Sequence, residues 1–177
     1  IDAIQIALPL LVKLDSSIKL PESPTPDDFE KAFGETQVSL GGRTAADLLE
    51  LPAMHDPTQL AAMRILSSIA PPAYMAFPAL LPLLAMKMVN LSVKCGNTAS
   101  SAFSYGMYGF ILCGVIDDIE SGYEFGQLSF ALFEKFDAKP IKAKVLGLLG
   151  YFINHWKNPI HESLQILPEA YQAGLES

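Results

Sequence analysis

Arg64–Lys87, RILSSIAPPAYMAFPALLPLLAMK, holds 22 consecutive uncharged residues between its two basic ends. Lys94–Asp117, KCGNTASSAFSYGMYGFILCGVID, holds another 22, and no acid occurs from Ile65 to Ile116. By length alone each stretch is a candidate to cross a membrane. The contents argue for buried helices of a bundle instead. The first stretch carries Pro71, Pro72, Pro78 and Pro82. A Pro-Pro pair removes two amide donors, and Pro72 disfavours the helical region for Pro71. One helix is therefore expected to end at Ile65–Ala70, with the next starting only after Tyr74. The second stretch opens Cys95-Gly96-Asn97-Thr98, a helix stop followed by a polar start.

Around these stretches four helix starts are legible. Thr25-Pro26-Asp27-Asp28 offers a capping Thr, Pro in the first turn and acids at the positive end of the dipole. Thr44-Ala45-Ala46-Asp47 repeats the cap and the acid, without the Pro, over a short helix. Asp56-Pro57-Thr58-Gln59 places Asp at the cap and Gln at the capping-box position, and Ser121-Gly122-Tyr123-Glu124 has the same spacing. Gly41-Gly42, Gly96-Asn97 and Asn158-Pro159 supply stops. Between these marks the apolar residues recur at helical steps: Leu60, Met63, Ile65, Leu66, Ile69; Leu80, Leu81, Leu84, Met88, Leu91; Phe125, Leu128, Leu132, Phe136; Leu164, Leu167, Tyr171. No alternating strand bounded by a tight turn is found. The fold class is all-α, with eight or nine helices.

In the second half the loops are short, so neighbouring helices are expected antiparallel. One pair spans roughly 98–119 and 122–136, the next roughly 140–157 and 160–175. Their starts lie about 40 residues apart, in the range of helical-hairpin repeats. Ala102, Gly106, Gly109 and Gly114, with Gly126 and Ala131, fall where helices approach closely. Phe110 and Phe152 take similar places in the two first helices. The chain of 177 residues and 19.2 kDa is read as one all-helical domain, with 1–55 a less regular, Pro-rich part. It begins at Ile1, with neither Met nor a signal-peptide pattern, and reads as a piece of something larger.

Half of the residues are hydrophobic, 18% are charged, and the mean hydropathy is +0.29. A net charge of −7 and a pI near 4.8 weigh against binding a phosphate backbone, so nucleic acid is not expected as a partner. No residue is assigned a catalytic, cofactor-binding or metal-binding role. Asp117, Asp118, Glu120 and Glu124 would make a cation or acid–base site; a solvated turn is the preferred reading. His155, His161 and Glu162 would be a ligand set, but their spacing crosses the Asn158-Pro159 break, so His155 and Trp156 are read as finishing a helix. His55 stands alone. Cys113 lies among apolar residues as a structural thiol, and Cys95 has only Lys94 beside it. Lys135, Lys139, Lys142 and Lys144 form the one basic cluster, read as a solvated helix edge rather than an acidic-partner site. Neither a phosphate loop nor a nucleophile elbow occurs. Tyr105, Tyr108, Phe110, Tyr123 and Phe125 are either core or the lining of a small-ligand pocket.

Several local strings combine: Leu20-Pro21-Glu22-Ser23-Pro24, Gly42-Arg43-Thr44, Ala46-Asp47-Leu48-Leu49-Glu50-Leu51-Pro52, Lys87-Met88-Val89-Asn90-Leu91-Ser92, Ser121-Gly122-Tyr123-Glu124-Phe125-Gly126 and His155-Trp156-Lys157. Together they resemble the helical, tetratricopeptide-like region of very large signalling kinases of cyanobacteria, other bacteria and fungi. The resemblance runs from about Ala7 to Glu176. In that family a Ser/Thr-kinase-like domain and a P-loop ATPase precede this region, and a GAF sensor with a histidine-kinase or cyclase output follows it. The resemblance implies antiparallel hairpins stacked as a tetratricopeptide-like right-handed superhelix, although the Trp-Leu-Gly-Tyr signature of standard repeats is absent. It implies a non-catalytic scaffold or regulatory module, cytoplasmic, that relays or gates between the ATPase switch and the sensor and output domains. Its partners would be those domains and other proteins, with no cofactor. The alternative is a helical small-ligand-binding sensor domain.

Overall fold

The computed structural model describes residues 2–176, without the side chain of Asp2. Among the described residues there are nine α-helices and no strand, so the all-α expectation holds. They are α1 (Asp2–Leu14), α2 (Pro26–Leu40), α3 (Ala45–Leu49), α4 (Pro57–Ala76), α5 (Leu81–Cys95), α6 (Ala99–Ile111), α7 (Ile119–Lys135), α8 (Lys142–Leu148) and α9 (Ile160–Leu175). They form two compact units. The first takes the residues up to Arg43 and Leu51–Thr98; the second takes Thr44–Glu50 and everything from Ala99.

The local start signals are largely realised. Thr25 and Thr44 close full capping boxes with Asp28 and Asp47, and Gly41 stops α2 in the left-handed region. Two starts differ from expectation. Asp56 does cap α4, but the Gln59 side-chain Nε2 donates to Asp15 Oδ2 at 2.9 Å instead of closing a box. α7 begins three residues early: Asp118, not Ser121, is the cap, and it accepts from the Ser121 amide.

The Pro-Pro pair does not break its helix. α4 runs through Pro71 and Pro72 to Ala76. Ile69, Ala70 and Ala73 are buried on either side of the pair, so continuing the helix keeps them in the core, while Pro71 faces solvent. Loss of two donors costs a few kcal/mol, on the order of what such burial returns. The break comes at the third proline. Phe77 precedes Pro78 and is driven out of the helical region, to φ −150°.

In the first unit α1 packs on α4, α2 on α5, and α4 on α5. Leu11, Met63, Leu66, Leu80, Leu84 and Met88 are fully buried there. The segment before α4 is clamped to the end of α5: the Met54 amide donates to the Asn97 carbonyl, and the Asn97 amide to the Pro52 carbonyl, each at 2.7 Å. Gly96, at φ +97°, is required here, because a side chain would strike the Pro52 carbonyl.

The second unit is built of hairpins. Gly106 meets Ser129, Gly109 meets Gly126 and the Gly122 carbonyl, and Cys113 meets Gly122. Numbers rise on α6 as they fall on α7, so the two are antiparallel. α8 and α9 repeat this: Ala143 meets Gly174, Gly150 meets Leu167, and Asn154 donates to Ser163 Oγ at 3.1 Å. α6 and α8 each end in a wide π turn, Leu112–Ile116 and Leu149–Ile153. The Phe110 and Phe152 rings lie 4.9 Å apart. The turn of the first hairpin comes about three residues earlier than expected, because the chain reverses at Asp117, φ +64°. α3 packs on α7, with Leu48 fully buried.

Two 18-residue windows, Pro78–Cys95 and Ala99–Ile116, are long and apolar enough to cross a membrane. Within the protein, 56% and 72% of them are buried, which is how core helices of a bundle behave.

Candidate functional site

α1 turns Ile4, Ala7 and Leu11 into the core, which leaves Leu8 and Val12 on the adjoining face. Opposite that face runs the segment 19–23, which Pro21 stiffens, and the end of α4 contributes Ala76 and Phe77. Between them lies an open groove of about 850 Å³, mainly apolar, with exposed Lys19 and Glu22 supplying one charge of each sign. It contains neither Cys nor His. Such a groove can hold an apolar group and orient it by charge.

A smaller, polar pocket of about 270 Å³ lies between α2 and α5. Lys19, Lys31 and Lys87 line it, against Asp28 and Glu35. Lys87 Nζ donates to the Ser17 carbonyl at 3.2 Å. Asp28 is engaged by Thr25, whose hydrogen bonds hold its pKa down. The buried Oδ1 of Asn90 finds no donor among the described residues.

The candidates named from sequence do not converge. Asp117 shapes the turn, Asp118 caps α7, Glu120 pairs with Lys157, and Glu124 faces solvent. His155 and His161 are exposed; His155 lies over Trp156, whose indole donates to the Phe152 carbonyl at 3.1 Å. Among the described residues no group of three His, Cys, Asp or Glu could hold a metal. Cys113 is buried, and desolvation pushes its thiol up to about 11. Burial likewise raises Cys95, outweighing the attraction of Lys94. Neither is a ready nucleophile.

The lysine cluster is dispersed over separate partners. Lys135 donates to the Leu49 carbonyl at 2.6 Å and pairs with Glu50 at 3.3 Å. Lys139 pairs with Asp137 and Lys142 with Glu169. Lys144 stands over the Phe103 ring at 5.5 Å, its pKa lowered by desolvation. The aromatic group is packed rather than hollow. Tyr105 and Tyr108 are fully buried, and Phe125 lies 5.9 and 4.9 Å from their rings. Sequence reasoning missed the α1 groove; the one available signal was the proline-rich Leu20–Pro24 beside an apolar helix.

No protein-family profile and no solved structure matches the chain. Over 116 residues, 64% of its length, the chain is 29% identical to hybrid signal transduction histidine kinase G of Dictyostelium discoideum. It spans 3% of the length of that curated relative. The similarity is distant and points to one region of a signal-transduction kinase.

Proposed function

We propose that the chain is a non-catalytic helical scaffold or regulatory interaction module of a multidomain sensor kinase. It relays or gates between an ATPase switch and the sensor and output domains. The observation that carries this reading is the similarity to a small region of a histidine kinase. The hairpins would stack as a tetratricopeptide-like right-handed superhelix, each contacting its neighbours and offering an extended surface. Its partners are the ATPase, GAF and kinase domains of the same polypeptide, and other proteins. Nucleic acid and membrane insertion have no part in it, and the location is cytoplasmic. The test is deletion of this region from the parent kinase. Basal autophosphorylation should survive while its response to signal is lost; ATP turnover by the isolated chain, or an unchanged response, overturns the reading.

A second reading, a small-ligand sensor, is favoured by the 850 Å³ groove beside α1 rather than by the aromatic cluster. A metabolite that raises the melting temperature of the chain, and fails to do so with Val12→Glu, supports it. No shift across a metabolite panel removes it.

A further inference from the structure

α9 carries a row of large apolar side chains that the described residues leave uncovered. Ile160, Leu164, Tyr171 and Leu175 are each between 63% and 69% exposed. At about 100° per residue they fall within an arc of roughly 60°. Ser163 and Ala170, which α9 does bury, lie on a different face. Glu162, Glu169 and Glu176 occupy a third face, where Lys142 holds Glu169 at 2.6 Å. The apolar row is therefore free of charge.

Its spacing has a symmetry. Ile160 and Leu175 are equidistant from a midpoint between Leu167 and Pro168, and so are Leu164 and Tyr171. An antiparallel partner helix reverses the order of residues. A second α9, turned about a two-fold axis through that midpoint, sets Ile160 against Leu175 and Leu164 against Tyr171, each contact occurring twice. That is the self-complementarity an isologous interface requires. Each side chain exposes on the order of 100–150 Å², so pairing two rows removes on the order of 1,000 Å² from water, the size at which an interface becomes specific.

We propose that this face joins two copies of the chain through an antiparallel α9–α9 contact. The inference rests on α9 alone and does not depend on the kinase reading. Light scattering and sedimentation of the 177-residue chain test it. A concentration-dependent dimer is expected. Leu164→Lys and Tyr171→Glu, each on an exposed position, should weaken it by about tenfold or more, with helix content by circular dichroism unchanged. The double variant should restore dimerisation, because the introduced lysine of one copy then faces the introduced glutamate of the other. Mixing Leu164→Cys with Tyr171→Cys chains should give an oxidised cross-link that Leu164→Cys alone does not. A monomer at all concentrations, a dimer indifferent to Leu164→Lys, or failure of the double variant overturns the proposal.

Discussion

In the first unit α1 pairs with α4 and α2 with α5 across distant stretches of chain, beside the successive pair α4 and α5. The second, by contrast, is built mainly of α6 on α7 and α8 on α9, each on its immediate successor, with α3 on α7 as a distant pair. The seams differ as well. The α6–α7 seam is made of Gly106, Gly109, Gly122, Gly126 and Ser129, with Ser129 Oγ donating to the Ala102 carbonyl at 2.6 Å. Backbones approach closely there, and any added atom collides. The first unit instead fills its interior with Leu and Met side chains, which forgive small changes in volume. Nearby pairing with tight seams gives a local, brittle architecture; distant pairing gives one whose parts depend on each other along the whole chain.

Four changes put this contrast to the test. Leu66→Ala empties a fully buried position of α4 and should cost about 3 kcal/mol in urea denaturation. Hydrogen exchange should quicken in α1 as well as in α4; an unaffected α1 would defeat the idea of distant dependence. Gly109→Ala would place a Cβ 2.6 Å from the Gly122 carbonyl oxygen and should cost about 2 kcal/mol. Its effect on exchange should stay within α6 and α7, and unchanged stability would show that the seam can open. Pro71→Ala returns a donor to an exposed turn of α4 and should raise stability by about 1 kcal/mol; a loss would mean that the proline is needed where it stands.

The smallest effect concerns Asp15. Hydrogen bonds from Gln59, then from Ser17, hold its carboxyl down from 3.8 to about 2. A depressed folded pKa means that the contribution is complete above about pH 4 and is lost as pH falls towards about 2. Solvent screening limits it to about 1 kcal/mol or less. Asp15→Asn should flatten that acid limb of the stability curve; a curve that keeps its slope would assign the loss to other carboxylates.

How much of this was legible follows from the range of each interaction. The capping boxes of Thr25 and Thr44 close within three residues, so their letters suffice. The hairpins of the second unit follow from short loops and small residues in register. The continuation of α4 through Pro71-Pro72 was hidden, because the burial of Ile69, Ala70 and Ala73 outweighs the local preference, and burial is decided by partners elsewhere. Asp118 and Ser121 are equally good caps by chemistry, and the choice falls to a left-handed Asp117 that no propensity announces. The pairing of α1 with α4 has no local signature, so the proline-rich Leu20–Pro24 alone could not place a groove beside α1, and only the tertiary packing decides that Tyr105, Tyr108 and Phe125 are core.

The assignment of α3 to the second unit has a consequence for synthesis. Glu50 and its partner Lys135 are separated by 85 positions. A ribosome adds about 5–20 residues per second, so α3 waits for several seconds before α7 exists to receive it. During that time Leu48, fully buried in the finished protein, has no core to enter, even after Thr98 completes the first unit. A transcript ending before α7 would therefore release a chain with this leucine bare.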